Sequence, residues 1–580
     1  MSEHRFQLYD TTLRDGMQQE GMAPTVDDKL AIARLLDGYG VGFIEAGWPG
    51  ALPKDTEFFR RARSELTLRN AQLAAFGATC RPGGAVASDP QVRELLRAQT
   101  PVVTLVAKSH PRHVGLALRT TLAENLRMVS ATVRHLVRAG RRVFLDAEHY
   151  FDGFLANRAY ALEVVRTAMD AGAEAVVLCD TNGGSLPDGV AHIVRETLDA
   201  TGARLGIHCH DDSGCAVANT LAAVDAGATH AQGTAHGYGE RCGNANLFTV
   251  AASLVLKRGR AVLPPGHLAR TAEVGEAIGA VTGVPGHPTT AYTGRSAFAH
   301  KAGLHASALR VDPDLYQHVD PARVGNTMRT LVSDLGGRSS VQLKAAELGY
   351  RVEDGSPALA RAAARIKERE SHGYSFESAD ASFELLLREE LTPGRERAPF
   401  EPVSWWAGSG QRGEEPARAE ARVRLLVNGT PAEATAVADT AVRALHGAVR
   451  AALVPWLPGL AGLELDEHRL RLLDGGPQAR VLARCGYHGR TLATVGVGPD
   501  PVTAAWHALL DAFRYAATTA HPADGSTGTA PSDTAPSDTA SSDTASSDTA
   551  LPSAAPPAPD TGPAGVRPTG VRPTAPAAVG

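Results

Sequence analysis

Hydrophobic and polar positions alternate along the first half of the chain in a repeating pattern. Short apolar runs that end in polar residues recur at intervals of roughly thirty residues, the size of one strand–helix unit. Most runs are separated by stretches such as residues 26–39, where apolar residues recur at helical spacing and Thr25 stands at a suitable N-cap position. The pattern predicts eight strands, within residues 6–15, 40–49, 73–79, 102–109, 141–150, 175–182, 204–212 and 230–239.

Eight such units in about 255 residues match the size of a (β/α)₈ barrel. An open, doubly wound sheet would show the same alternation. It would be favoured by a GxGxxG turn after the first strand, and that turn is absent from the sequence. The predicted fold class is therefore α/β, with a (β/α)₈ TIM barrel over residues 1–256.

The regular alternation ends after residue 256. Residues 257–374 mix loops and helices, including a predicted helix over 356–370, and form a predicted helical/loop subdomain. Residues 375–517 alternate strand and helix patterns, with helices expected over 435–452 and 501–515, and predict an α+β domain. Within it, residues 392–418 are rich in Pro, Gly, Glu and Arg and are interpreted as a linker or long loop.

Residues 518–580 have a different composition, dominated by Ala, Pro, Thr, Ser and Asp. A five-residue unit repeats there as PSDTA or SSDTA. Because almost no bulky apolar side chain is available to offset the entropy of ordering, we expect a disordered tail without a catalytic role.

Composition and charge exclude several classes of function. A hydrophobic fraction of 43% and a charged fraction of 21% are ordinary for a soluble globular protein. A net charge of −5 is too small to indicate nucleic acid or a membrane surface as partner. No apolar run predicts a membrane span, and no signal peptide is predicted. Six cysteines without a CxxC pair favour a reduced, cytoplasmic compartment.

Polar residues at the ends of the predicted strands are the candidates for chemistry, because TIM-barrel active sites lie at the C-terminal ends of strands. In the segment HCHDD, His208 and His210 share one strand face because they are two residues apart. The first predicted strand ends in Arg14 and Asp15, and the loop after the eighth contains Asn244. Two imidazoles with carboxylate and amide oxygens suit a divalent ion such as Mg²⁺, Mn²⁺ or Zn²⁺.

Each of these features also has a structural interpretation. An isolated HxH often occurs in strands for packing reasons, and only Asp15 and the strand-end position make a metal site the better hypothesis. Arg14 could form a structural ion pair at the barrel rim. Cys209, between the two histidines, is expected to be a packed thiol.

Four motifs carry a resemblance to a known family: DTTLRDG at 10–16, HCHDD at 208–212, GTAHGYGERCGNANL at 233–247 and FAHKAGLHASAL at 298–309. They resemble the acetyl-CoA-dependent enzymes that condense 2-oxo acids, the family of the 2-isopropylmalate, homocitrate and citramalate synthases. Further stretches look most like the citramalate branch, and the likeness covers about residues 6–515; these stretches are residues 18–59, 146–154 and 315–340.

The resemblance implies a transferase that condenses acetyl-CoA with pyruvate and hydrolyses the thioester, giving (R)-citramalate and CoA for isoleucine biosynthesis. It also implies a homodimer and feedback by isoleucine through residues 375–517. Three alternatives remain: condensation with another 2-oxo acid, a related metal-dependent lyase, and a metabolite-binding protein without activity. The last would be expected to lack Arg14, Asp15 or the histidine pair, and all are present.

The resemblance implies the following roles at the metal. Asp15, His208 and His210 would be protein ligands, with Asn244 beside the ion or in its ligand shell. The ion would polarise the ketone of the 2-oxo acid as a Lewis acid. Arg14 would steady the oxygen that gains charge during the attack.

Four other residues are implied by the resemblance to bind or activate substrate. Thr181 would hold the carboxylate of the 2-oxo acid. Glu148, His305 and Tyr316 would serve the acetyl-CoA half, where a weakly acidic methyl proton must be removed by a positioned base. Tyr316 could instead make a plain core contact. Residues 257–374, which contain His305 and Tyr316, would complete the active site.

Overall fold

The computed structural model describes residues 6–519, except residues 394–397, 412, 415 and 474. The tail predicted from residue 518 lies outside the described residues, apart from Thr518 and Thr519, which end the last helix. Within the described part, no helix is both long and apolar enough to cross a membrane.

Eight parallel strands of the described chain close into a barrel, which confirms the predicted TIM-barrel fold. The first strand pairs with both the second and the eighth and so closes the ring. The strands are β1 (Gln7–Asp10), β2 (Phe43–Glu45), β3 (Gln72–Ala78), β4 (Val102–Lys108), β5 (Arg142–Glu148), β6 (Ala175–Asp180), β7 (Leu205–Cys209) and β8 (His230–Gly233). The accompanying helices are α1 (Val26–Tyr39), α2 (Pro53–Glu65), α3 (Pro90–Arg97), α4 (Pro111–Leu116), α5 (Leu122–Arg138), α6 (Tyr150–Ala156), α7 (Arg158–Asp170), α8 (Pro187–Thr201), α9 (Ala216–Asp225) and α10 (Leu247–Arg258).

Helix α1 has the bounds and the N-cap that its sequence predicts. The Thr25 hydroxyl accepts a hydrogen bond from the Asp28 amide at 3.2 Å, and the Asp28 carboxylate accepts one from the Thr25 amide at 2.7 Å. This reciprocal capping satisfies two amides that the first turn would otherwise leave unpaired. Leu30 and Leu36 are buried against the barrel, as their helical spacing requires.

The first predicted strand was too long at its C-terminal end. β1 stops at Asp10, and Arg14 and Asp15 lie in the turn that follows rather than in the strand. Their amides donate to the Thr11 carbonyl at 3.1 and 2.9 Å, and the Asp10 carboxylate accepts from the amide and hydroxyl of Thr12. Short polar side chains offer such local hydrogen bonds in place of the ladder, which ends the strand.

An aromatic cluster fills the barrel near the N-terminal ends of the strands. The Tyr9 ring centroid lies 5.7 Å from that of Phe43, 5.9 Å from that of Phe144 and 5.0 Å from that of His230. All four side chains are buried. The cluster closes this end of the barrel and leaves the C-terminal end as the open one.

Residues 257–374 mix loops and helices, as predicted, and a further helix follows within the region predicted as α+β. The helices are α11 (Thr271–Thr282), α12 (Gly303–Leu309), α13 (Arg338–Glu347), α14 (Pro357–Ser371) and α15 (Asp380–Leu391), and β9 (Ala299–His300) pairs in parallel with β10 (Arg329–Thr330). One hydrophobic cluster joins the last three helices to a strand far along the chain; it includes Val341, Leu359, Ile366, Phe383, Leu387 and Val495.

Two antiparallel sheets and two helices complete the described chain. The sheets are β11 (Glu401–Gly410), β12 (Arg418–Val427) and β13 (Thr430–Ala438), and then β14 (Glu464–Leu472), β15 (Ala479–Tyr487) and β16 (Arg490–Gly498). The helices are α16 (Ala441–Leu453) and α17 (Pro501–Thr519).

Two sequence predictions for this region were wrong. The supposed linker at 392–418 contains strand β11, which is held by pairing with β12 and by Trp405 stacking on Trp506 at 5.3 Å. The helix predicted from residue 435 begins at Ala441, because the preceding residues pair with β12. Alanine-rich sequence fits both strand and helix spacing, so only the long-range pairing separates the two.

Candidate metal centre and active site

A cavity of about 540 Å³ opens at the C-terminal mouth of the barrel. Strands β3 to β7 and the turns after β1 and β2 all contribute to its walls. Lining residues include Arg14, Asp15, Gln18, Trp48, Phe76, Lys108, Asp146, Glu148, Thr181, His208, His210 and Glu240.

Asp15, His208 and His210 meet at one point of this cavity. Oδ2 of Asp15 lies 3.2 Å from Nε2 of His208 and 3.9 Å from Nε2 of His210, and the two Nε2 atoms are 3.4 Å apart. All three residues are buried, and one potential ligand atom from each lies within 4.8 Å of the others. Three such donors converging from two elements can hold one divalent cation.

Asn244 lies next to this cluster, because its backbone forms an antiparallel bridge with that of His210. Its Nδ2 donates to the Tyr238 carbonyl at 2.9 Å. Its Oδ1 is buried and has no hydrogen-bond partner among the described residues. Buried acceptors are normally paired, so an unpaired amide oxygen here fits a further ligand of the cation.

The charge states of Asp15 and His210 also fit a cation. Burial raises the pKa of Asp15, but the Arg14 charge and the adjacent His208 outweigh it and hold that pKa below its ordinary value. Burial and the neighbouring His208 lower the pKa of His210 to about 4. An ionised carboxylate and a neutral imidazole are the forms that coordinate metals.

Behind the cluster, a hydrogen-bonded chain runs into the barrel. Nδ1 of His208 lies 2.9 Å from Oε1 of Gln232, and Nε2 of Gln232 donates to Oδ1 of Asp146 at 3.0 Å. Burial and the nearby Glu45 carboxylate raise the pKa of Asp146 to about 7.

Arg14 is oriented by contacts on two sides. Its Nε donates to Oε1 of Glu45 at 2.6 Å, and its Cζ lies 3.9 Å from the centroid of the Phe76 ring. Glu45 is fully buried and also accepts a hydrogen bond from the Tyr9 hydroxyl at 2.7 Å. The guanidinium is therefore fixed at the cavity wall beside Asp15, with Nη1 3.5 Å from Oδ1 of Asp15.

Glu148 and Thr181 line the same cavity from neighbouring strands. Glu148 ends β5 and forms an ion pair with Lys108 at the end of β4. The Thr181 hydroxyl oxygen accepts a hydrogen bond from the amide of His149 at 2.9 Å. Because that oxygen already accepts, the hydroxyl proton is available for an acceptor in the cavity.

Comparison with known protein families matches three successive segments of the chain. Residues 5–278 match the HMGL-like family, residues 292–373 the homocitrate synthase post-HMGL domain-like family, and residues 377–517 the LeuA allosteric (dimerisation) domain.

An (R)-citramalate synthase of Streptomyces coelicolor is 56% identical over 514 residues, which is 88% of this chain and 96% of the relative. The chain belongs to the citramalate synthase family. An (R)-citramalate synthase of Aquifex aeolicus is 42% identical over 88% of this chain and 97% of its own length. A 2-isopropylmalate synthase of Nitrobacter winogradskyi is 31% identical over 88% of this chain and 95% of its own.

Membership of the citramalate synthase family makes this chain an enzyme of the acyl-CoA-condensing transferases. Its barrel is of a metal-dependent type, and the cluster of Asp15, His208 and His210 is the candidate for that metal. The match to a dimerisation domain indicates a homodimer.

Two of the predicted site residues, His305 and Tyr316, lie apart from the barrel cavity. His305, in α12, and Tyr316 stack with ring centroids 4.1 Å apart, and Tyr316 is 40% exposed. Within the described residues of one chain, neither side chain lines the barrel cavity.

The residues around the site that sequence reasoning missed include Glu45, Asp146 and Gln232. A usable signal existed for Asp146, which lies two residues before Glu148 and therefore on the same face of β5. Glu45 and Gln232 carry a comparable signal, since each is a polar residue near the C-terminal end of a barrel strand.

Proposed function

We propose that this chain joins acetyl-CoA to pyruvate and hydrolyses the thioester, giving (R)-citramalate and CoA as a step towards isoleucine. The observation that carries the proposal is the buried Asp15–His208–His210 cluster beside Arg14, in one cavity of a citramalate synthase family barrel. Six sparse cysteines, all free, support a cytoplasmic location.

Asp15, His208 and His210 would hold the divalent ion, with Asn244 in or beside its shell. The donor set suits Mg²⁺ or Mn²⁺, and Zn²⁺ is compatible. When bound, the ion would supply Lewis-acid polarisation of the 2-oxo acid ketone.

Arg14 and Thr181 would bind the oxygens of the 2-oxo acid. Glu45 accepts from the Nε of Arg14, and the terminal amino groups, one of them 3.5 Å from Asp15, would face the substrate oxygen that gains charge. Thr181 would donate its free hydroxyl proton to the substrate carboxylate, while the His149 amide holds the oxygen in place.

Glu148, His305 and Tyr316 would act on acetyl-CoA, where a base must remove a methyl proton before the carbon–carbon bond forms. Glu148 faces the cavity and is paired with Lys108. His305 and Tyr316 lie outside the cavity of one chain, so their role requires either movement of residues 303–316 or their contribution from the second chain of a homodimer.

For the organisation of the chain, we propose a catalytic barrel over 1–256, a subdomain over 257–374 that completes the active site, and a dimerisation and regulatory domain over 375–517. Isoleucine is the proposed effector of the last domain. The match of residues 377–517 to the LeuA allosteric (dimerisation) domain supports this division.

The test is a free-thiol release assay with acetyl-CoA and a panel of 2-oxo acids, with and without EDTA and added Mg²⁺, Mn²⁺ or Zn²⁺. We expect the highest kcat/KM for pyruvate and (R)-citramalate by chiral chromatography. A clearly higher kcat/KM for 2-oxoisovalerate or 2-oxoglutarate would leave the condensation standing and refute the substrate. Cleavage of a 3-hydroxyacyl-CoA without thiol release from acetyl-CoA would favour a lyase instead.

A further inference from the structure

The chain of hydrogen bonds behind His208 has a defined direction. The amide nitrogen of Gln232 faces Asp146 and donates to its Oδ1 at 3.0 Å. The amide oxygen of Gln232 must then face His208, and Nδ1 of His208 lies 2.9 Å from it. An amide oxygen only accepts, so Nδ1 carries the proton.

This direction determines what the other ring nitrogen can do. With the proton on Nδ1, Nε2 of neutral His208 has a free lone pair. Nε2 is the atom that lies 3.2 Å from Asp15 and 3.4 Å from Nε2 of His210, at the centre of the candidate metal cluster. His208, Gln232 and Asp146 are all buried, so solvent does not compete for these positions.

The barrel contains a second series of hydrogen bonds from a histidine through a glutamine to a carboxylate. This series does not reach the metal cluster. Nδ1 of His230 lies 3.0 Å from Oε1 of Gln7, and Nε2 of Gln7 donates to Glu174 at 2.9 Å. Nε2 of His230 is buried without a hydrogen-bond partner among the described residues. The two hydrogen-bond series differ at their histidine: Nε2 of His208 lies beside other potential metal ligands, and Nε2 of His230 does not. The series through Gln7 is therefore a matched internal control.

We propose that Gln232 and Asp146 are positioning residues that hold His208 in its Nδ1-protonated tautomer and so present Nε2 to the metal. The inference rests on the metal site given under the proposed function. Loss of such a partner of a histidine ligand typically weakens metal binding by about 10–100-fold.

The test measures the dissociation constant of Mn²⁺ for the full-length chain without substrates, by EPR of the free ion. Gln232→Met, which keeps the side-chain length but loses the amide, should weaken binding by about 10–100-fold. Asp146→Leu should do the same, because the freed amide can turn its nitrogen towards His208. Asp146→Asn keeps an acceptor and should retain wild-type affinity. Gln7→Met, in the matched series of hydrogen bonds at His230, should leave the Mn²⁺ affinity unchanged.

A double variant distinguishes positioning from a general disturbance. If Gln232 and Asp146 act through the same series of hydrogen bonds, the double variant Gln232→Met, Asp146→Leu should bind Mn²⁺ no more weakly than either single variant. Unchanged affinity in folded Gln232→Met, or equal losses in Asp146→Leu and Asp146→Asn, would overturn the inference. The two Asp146 variants decide the matter if Gln232→Met does not fold. Absence of Mn²⁺ binding by the wild type would instead overturn the proposed metal site, and this inference with it.

Discussion

Arg14 and Glu45 form an ion pair in which Nε of the guanidinium donates to a carboxylate oxygen at 2.6 Å. Glu45 has no exposed surface, and Arg14 is also packed on Phe76. The pair fixes one edge of the guanidinium and turns the other edge towards Asp15, which lies 3.5 Å from Nη1. A lysine at position 14 could satisfy either the carboxylate or a substrate oxygen, but its single nitrogen lacks the planar fork that serves both.

The first prediction follows from this pair. Arg14→Lys should lower kcat by about 10²–10³-fold, the usual effect of removing a donor to an oxygen that gains charge. The KM for the 2-oxo acid should change much less, which thiol-release kinetics will measure. Arg142→Lys, which alters an ion pair with Glu174 away from the cavity, is the control. Equal losses in both variants would argue for a general effect on the fold.

The second prediction concerns the metal ligands. His208→Ala and His210→Ala should each abolish thiol release and lower bound metal measured by elemental analysis, because three protein donors share the site. Circular dichroism should change little. His192→Ala removes an exposed histidine of helix α8 and should keep both metal and activity. Full activity in both ligand variants would remove the metal assignment.

The third prediction concerns His305 and Tyr316, which are proposed to act on acetyl-CoA and not to bind the 2-oxo acid. His305→Ala and Tyr316→Phe should lower kcat far more than they raise the KM for the 2-oxo acid, as expected for groups that act mainly in the transition state. Loss of a general base costs typically about 10²–10⁴-fold. Steady-state kinetics with the 2-oxo acid varied at saturating acetyl-CoA will measure both constants. A change confined to the KM of the 2-oxo acid would place the pair in that pocket instead.

The fourth prediction concerns stability at low pH. Burial lowers the pKa of His230 to about 3, so the folded state keeps this imidazole neutral. In the unfolded chain the same imidazole binds a proton with the ordinary pKa of histidine. Its contribution to stability is therefore complete at neutral pH and is lost as pH falls through about 6.5 towards 3, by about 1.4 kcal/mol per pH unit.

The corresponding measurement is the thermal unfolding midpoint at pH 7 and pH 5. His230→Phe should be less stable than the wild type at pH 7, because Gln7 loses its partner. Its midpoint should nevertheless fall less between the two pH values. His192→Phe should show the wild-type fall. An unchanged fall in His230→Phe would contradict a neutral buried imidazole.

The fifth prediction concerns the C-terminal regions. Deletion of residues 520–580 should alter neither activity nor inhibition by isoleucine, because their composition offers few bulky apolar side chains. Removal of residues 398–519 as well should abolish inhibition. We expect coupling of about 1–3 kcal/mol in the intact chain, or roughly several-fold to a hundred-fold inhibition. Assays with each branched-chain amino acid will decide. Insensitivity of the full-length enzyme at millimolar concentrations would leave only a dimerisation role.

Truncation at residue 374 should be more damaging than truncation at 397. Phe383 and Leu387 of α15 belong to the cluster that contains Leu359 and Ile366, so the earlier cut exposes those side chains. Comparing the thermal midpoints of the two truncated chains tests this packing argument. Equal midpoints would mean that α15 contributes little to the helical subdomain.

The barrel could be predicted from the sequence because the apolar pattern of each strand–helix unit is local and is repeated eight times. Helix α1 has its expected bounds because apolar spacing and the Thr25 cap agree. The wrong assignments arose where local patterns fit two structures. Strand β11 needs its partner β12, and the turn that carries Arg14 and Asp15 depends on hydrogen bonds made by Asp10 and Thr12.

Part of the candidate site was predictable for the same reason. The spacing of His208 and His210 predicted a shared face, although β7 ends at Cys209 and His210 is positioned by its bridge to Asn244; their proximity to Asp15 depends on closure of the barrel. Glu45, Asp146 and Gln232 come from β2, β5 and β8, and their hydrogen bonds join residues far apart in the sequence. A pattern within one strand does not contain that pairing.

The aromatic cluster of Tyr9, Phe43, Phe144 and His230 has a kinetic consequence. Because it closes the N-terminal end of the barrel, both reactants and both products must pass through the same opening. A small acid bound at Asp15 would lie beneath the thioester that reacts with it. With the acid bound at Asp15 and the thioester above it, we expect the acid to enter before the thioester and CoA to leave before the new hydroxy diacid.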